Sequence, residues 1–120
     1  MARLRSERLG ELLKEEISEI LRRELKDPRV GFVSVTDVEV SSDLRHAKVF
    51  VSILGDEVSR EETMRALESA TGFVRSEVGR RIRLRHTPEI VFRLDKSIER
   101  GARVFELLSE IRKEAGEEKG

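Results

Sequence analysis

The stretch SREETMRALESATGFVRSEVGRRIRLR, residues 59–85, decides how the chain folds. Its apolar positions Met64, Leu67, Thr71, Val74, Val78 and Ile82 keep helical spacing as far as Leu84, and Ser59 with Glu62 has the form of a capping box that opens a helix. A straight helix of that length runs to roughly 39 Å at 1.5 Å per residue. A compact chain of 120 residues is only about 35 Å across. Something must bend the helix, and Gly72 marks the place, because an interior glycine costs about 1 kcal/mol against alanine and is tolerated where the chain turns. The stretch therefore reads as helix, break at Ala70, Thr71 and Gly72, helix.

Upstream, Leu9, Leu12, Leu13, Ile17, Ile20, Leu21 and Leu25 recur at three- and four-residue spacing, which predicts a first helix with one apolar face. It should end near Asp27, since Pro28 disfavours helical geometry in the residue before it. Two strand-like runs follow. In the first, Val33 and Val35 share one parity and Val38 and Val40 the other, which predicts a bulge near Thr36 and Asp37. In the second, Ala47, Val49, Val51 and Ile53 line one face, and Ser41 to Leu44 read as a hairpin loop joining antiparallel neighbours. Downstream, Pro88 closes the helical stretch, Ile90, Phe92 and Leu94 alternate as a third strand, and Ser97 reads as the cap of a last helix carrying Ala102, Phe105, Leu108 and Ile111 inward. Residues 114–120 form a short charged tail, expected to be disordered, which leaves 1–113 as one domain. The order is helix, strand, strand, helix, helix, strand, helix: an α+β fold, with a three-stranded sheet covered by helices on one face.

Composition narrows the function. Hydrophobic residues make up 38% of the chain, enough for a modest core, and charged residues 40%, against roughly 25% in an ordinary soluble chain. There is no cysteine, which excludes a disulfide scaffold, a thiolate nucleophile and a cysteine-ligated metal. No apolar run approaches the roughly 20 residues that cross a bilayer, and the N-terminal residues lack a signal-peptide core, so a cytoplasmic protein without membrane contact is expected. The two histidines, His46 and His86, sit at strand edges without helical pairing, and Asp37 and Glu39 read as the wet side of a sheet. No glycine-rich phosphate loop is present. Neither an enzyme nor a metal or cofactor site is indicated, and a monomer without a small-molecule substrate is expected.

Formal net charge is zero, yet charge is unevenly spread. Between Arg75 and Arg93, six arginines stand against Glu77 and Glu89, and arginines outnumber lysines eighteen to six, which favours forked contacts to phosphate or carboxylate. Arg80, Arg81, Arg83 and Arg85 crowd the end of the helical stretch. With Arg75, and with Arg45 and Lys48 on the hairpin strand, they form a candidate phosphate-binding surface. The chain has no Trp, no Tyr and five Phe, the latter mostly at core-like positions, so a base-stacking sheet is absent and readout should rest on backbone and shape. Two readings stay open beside this one: arginines that only pair with the many glutamates, and a protein-interaction module that uses the amphipathic helices.

Four ordered stretches, Lys26 to Arg29, Asp43 to Val49, Ala70 to Arg75, and Leu84–Arg85 through Pro88–Glu89 to Asp95–Ser97, resemble the bacterial ribosome-binding factor A family. That family is similar in fold to a type II KH domain, with an added C-terminal helix here. KH domains clamp nucleic acid with a Gly-x-x-Gly loop between paired helices. This chain has no two glycines so spaced, and Ala70, Thr71 and Gly72 stand in its place as the family's Ala-x-Gly motif. The resemblance implies a non-enzymatic assembly factor that binds the small (30S) ribosomal subunit and its rRNA, supports late maturation of 16S rRNA and matters most in the cold. The residues it would use are Arg45, Lys48, Arg75, Arg80, Arg81, Arg83 and Arg85, with Arg3, Arg5 and Arg8 adding phosphate contacts from the first helix. A KH-type binder of free single-stranded RNA is the remaining alternative.

Overall fold

A computed structural model describes residues 2–25 and 32–97, with side chains from Arg5 onward. The elements are α1 (Ala2–Arg23), β1 (Val33–Val40), β2 (His46–Ile53), α2 (Glu57–Ser69), α3 (Thr71–Arg81) and β3 (Glu89–Leu94). This is the expected order as far as the third strand. The Lys26 to Arg29 stretch, the last helix and the tail from 114 lie outside the described residues, as does the side chain of Arg3.

The sheet has the order β1-β2-β3. β2 pairs antiparallel with β1 and parallel with β3, so the two-helix crossover is what carries the chain back to begin β3 beside the start of β2. Ala47, Val49, Val51 and Ile53 of β2 are buried, with Ile90 and Phe92 of β3 beside them. Leu13, Ile17 and Ile20 of α1, Leu67 of α2, and Val74 and Val78 of α3 complete the same core. The opposite face, with His46, Lys48 and Arg93, is exposed.

The expected bulge is present. Val35 pairs with Val51 and Asp37 with Phe50, so Thr36 is the extra residue. Its hydroxyl donates to Asp95 Oδ2 at 2.5 Å, while Asp95 Oδ1 accepts from the backbone N–H and hydroxyl of Ser97 at 2.8 and 2.6 Å. Ser97 is the donor in both of these bonds, and the helix it is expected to cap lies outside the described residues. α1 comes so close to β1 at the bulge that a Cβ on Gly10 would stand 2.8 Å from the Val38 carbonyl oxygen.

Several boundaries and burials differ from expectation. α1 closes at Arg23, before Asp27, with the amides of Glu24 and Leu25 both donating to the Ile20 carbonyl; Leu12 on this helix is 41% exposed. α2 opens at Glu57 with Asp56 as its N-cap, Oδ1 accepting from the Ser59 amide at 2.8 Å, so Ser59 is the capped residue and not the cap. Aspartate serves this role as well as serine, and Gly55 before it adopts φ +139°, which sets the turn into the helix. The break falls at Ala70 (φ −88°, ψ −1°), while Gly72 lies inside α3 with open space where its Cβ would be. The bend therefore does not require that glycine. α3 ends at Arg81, with Ile82 already extended yet buried, which is why helical spacing persisted to Leu84 in the sequence. Among the four described phenylalanines only Phe92 is buried, and Phe32 is 80% exposed.

In the hairpin, Asp43 Oδ1 accepts from the Ser41 hydroxyl at 2.6 Å and the Arg45 amide at 3.0 Å. Leu44 takes φ +62°, a conformation costing a non-glycine residue about 1 kcal/mol, offset by its side chain packing on the core.

Gly10→Ala is expected to lower stability by about 1–3 kcal/mol, seen as a lower urea midpoint at unchanged slope. Gly72→Ala should raise it by up to about 1 kcal/mol. Equal effects would contradict the α1–β1 contact. A second expectation concerns acid. Hydrogen bonds from Ser41 to Asp43, from the Ser59 amide to Asp56, and from Ser97 and Thr36 to Asp95 hold all three carboxyls below the ordinary aspartate range. A depressed folded value means stability present above the unfolded value and lost as pH falls through the folded one. The melting temperature should be level near neutrality and decline below about pH 4, with a shallower decline in Asp95→Asn.

Candidate nucleic-acid interface

The arginines divide into those already engaged and those free to bind. Arg81 is engaged. From the last turn of α3 its guanidinium reaches Glu16 at 3.2 Å, Glu19 at 3.7 Å and Glu24 at 3.4 Å, and Glu77 one turn earlier at 3.9 Å. With its side chain only 23% exposed, it staples α3 to α1. Four carboxylates around one guanidinium compete with any phosphate for it. The i, i+4 spacing of Glu77 and Arg81 was visible in the sequence; the approach of Glu16 and Glu19 of α1, and of Glu24 just after it, was not.

Arg75 is half engaged. Its Nη2 donates to the Thr87 carbonyl at 3.0 Å and its Nε to the Pro88 carbonyl at 3.3 Å, and Nη2 stands 3.6 Å from Glu89. This strap holds the segment after α3 against the helix. Gly79 permits the approach, since a Cβ there would meet Thr87 Oγ1 at 3.1 Å. Among the described residues Arg80 pairs with Glu77 alone, at 3.6 Å, and its side chain stays 77% exposed.

Arg83 and Arg85 follow the helix end and are exposed. Neither they nor Arg45 and Lys48 make an ion pair among the described residues. The strap folds residues 85–87 over α3 and leaves a shallow groove, floored by Gly72, Ser76 and Gly79 and walled by Arg75, Arg85 and His86. The groove thus unites two of the candidate arginines with one residue of the Ala70–Gly72 break. His86, which the sequence offered only as a strand-edge residue, joins them. Arg45 stands at the same end of the sheet, its carbonyl accepting from the Glu89 amide at 2.8 Å. Lys48 lies on the open face of β2 opposite Glu39 and Val91. Arg5 and Arg8 are exposed on α1, a different element from the groove.

Chemically, the groove offers guanidinium forks beside a backbone bare of bulky side chains, which suits a sugar-phosphate strand. No cluster among the described residues could hold a metal ion, and no described helix is long and apolar enough to cross a membrane.

A family model described as ribosome-binding factor A matches residues 5–108. The chain is 62% identical over 114 residues to ribosome-binding factor A of Halothermothrix orenii, covering 95% of this chain and 93% of that protein. Among solved structures it is similar to the solution structure of a putative ribosome binding factor A from Thermotoga maritima, with TM-score 0.70 and 40% identity over 79% of this chain and 91% of that one. It is also similar to a Thermus thermophilus ribosome binding factor A fitted into a map of a 30S complex, with TM-score 0.65 and 28% identity over 76% of this chain and 96% of that one.

Arg81→Met should cost about 1–2 kcal/mol, between the values for an exposed and a buried ion pair, and the loss should shrink at high salt. Arg80→Met should cost almost nothing. Thermal melts of the two variants at low and high salt test this; matching melts would dissolve the distinction between staple and surface arginine.

Proposed function

The chain belongs to the ribosome-binding factor A family, and from that membership we propose that it binds the small (30S) ribosomal subunit as a non-enzymatic assembly factor in the cytoplasm. The finer reading is that it supports late maturation of 16S rRNA, most critically in the cold. The observation that carries the binding is the similarity to a relative placed in a 30S complex. The arrangement of arginines supports rRNA as the surface engaged.

In this reading phosphates are met by Arg83 and Arg85, by Arg45 and Lys48, and by Arg80, with Arg75 contributing from within its strap. Arg5 and Arg8, and Arg3 before them, add contacts from α1. Arg81 serves the surface indirectly, by fixing the helix that presents it. A folded RNA backbone is the suitable ligand because the basic groove is shallow and open and the chain has no Trp or Tyr on which bases would stack. Holding a maturing region by its backbone needs no chemistry from the protein; it needs a rigid basic face and release when the region changes shape.

Arg83→Glu with Arg85→Glu should weaken small-subunit binding by at least about tenfold and lower the slope of log affinity against log salt by about 2, close to one unit per lost phosphate contact. The melting temperature should hold, since neither side chain has an ion-pair partner among the described residues. Co-sedimentation with small subunits, large subunits and short single-stranded RNAs at two salt concentrations is the measurement. Unchanged affinity and slope would remove these arginines from the interface. Equal binding to every RNA would reduce the face to generic electrostatics.

A further inference from the structure

At the end of the sheet away from the arginine groove, the surface is apolar. Phe32 is 80% exposed, Leu54 76% and Val58 64%, and the Leu54 amide donates to the Phe32 carbonyl at 3.1 Å, which sets these two side by side. The other large apolar residues exposed among the described residues, Leu12, Phe73 and Val91, stand singly on α1, α3 and β3. Large apolar side chains exposed together, unlike single ones, mark a contact surface. Phe32 also lines a cleft of about 560 Å³ between the end of α1 and the free edge of β1. Leu21 and Leu25 form its helical wall and Val33 and Val35 its strand wall. Leu25, Val33 and Val35 pack on the core yet stay only half-buried.

The chain leaves the sheet at this same end. Leu94 pairs with Val51, and the Asp95 amide donates to the Val51 carbonyl at 2.7 Å. The Asp95 carboxylate reaches past β2 to accept from the Thr36 hydroxyl of β1 and from the Ser97 amide. Residue 97 is thereby fixed near the β1 bulge, and Phe32 lies four residues from Thr36, about 13 Å at 3.3 Å per residue. Residues 98–113 lie outside the described residues. Their sequence carries Ala102, Phe105, Leu108 and Ile111 at the spacing of one helical face, and at 1.5 Å per residue a helix from 97 spans that distance by about residue 106.

We propose that residues 98–113 fold back and lay this apolar face on the cleft, covering Leu25, Phe32, Val33 and Val35. The tether favours this occupant over a separate molecule. A segment joined through a short linker is held at an effective concentration in the millimolar range, and Asp95 has already carried the chain across β2 toward β1. The inference does not rest on the RNA-binding reading, since Arg45 and Glu89 mark the start of β2 and β3 and the cleft lies at the other end of the sheet.

The test uses the absence of cysteine from the chain. A nitroxide spin label on Ser109→Cys in the full-length protein broadens the backbone amide NMR signals of residues close to it. Broadening of residues 21–25 and 32–35 is expected, with 72–87 unaffected and the pattern unchanged on dilution. Phe105→Asp with Leu108→Asp should lose it. So should Phe32→Asp alone, whose exposed position leaves the remaining amide spectrum intact and so reports on docking without loss of the fold. Broadening centred elsewhere, weak broadening spread over the whole surface, or full retention in either variant would overturn the proposal. Broadening in a mixture of isotope-labelled parent and unlabelled, spin-labelled chain would also overturn it, by making a second copy the occupant.

Discussion

Between Val35 and Asp37 the ladder of β1 against β2 slips by one residue, and three contacts depend on that slip. In an unbroken strand Val38 and Val40 would face away from Val33 and Val35 and lie in water, forfeiting about 1.5–3 kcal/mol for each valine left unburied. The extra residue returns both pairs to the helical side. It also leaves the Val38 carbonyl against Gly10 of α1 and presents the Thr36 hydroxyl to Asp95 at the end of β3. One inserted threonine thereby registers the first helix, the edge strand and the last strand against one another. Because Asp37 covers the Val38 amide, the slip also interrupts the strand edge that would otherwise invite pairing along its whole length.

Charge is used twice in this molecule, and composition alone does not separate the uses. Arg81 is spent on holding α3 to α1, where its four carboxylates sit at 3.2–3.9 Å. Arg75 is spent largely on backbone carbonyls of the segment that leads into β3. The remaining arginines of this region are presented by what these two hold in place. A net charge of zero thus conceals a basic groove on α3.

Much of the fold was legible because side-chain parity and period report burial directly. The shift from Val33 and Val35 to Val38 and Val40 announced the bulge, and the length of the 59–85 period announced the break. What was not legible depended on competition between equivalent local signals or on contacts distant in sequence. Asp56 and Ser59 are both competent caps, and only the turn at Gly55 selects the first. Ile82 stays buried in an extended conformation, so periodicity overran the true helix end. Gly72 looked like the cause of the bend, yet the chain bends at Ala70 and no described residue occupies the space beside that glycine. Of the site, the basic cluster was legible and the sorting of its members was not, since what sets Arg81 apart from Arg83 is chiefly the approach of Glu16, Glu19 and Glu24, which are distant in sequence.

The parallel pairing of β3 with β2 carries a kinetic consequence. Lys48 and Val91 are neighbours in the sheet but lie on opposite sides of both crossover helices, so their meeting closes a long loop, whose entropic cost rises with the logarithm of its length. The α1–hairpin unit draws its contacts from the chain up to Ile53 and contains only local and antiparallel pairings, the kind that forms fast. During synthesis that unit is complete before β3 exists, and the inner edge of β2 waits unpaired until the crossover is finished. The side of the sheet that ends up most enclosed is therefore the one exposed longest while the chain is being made.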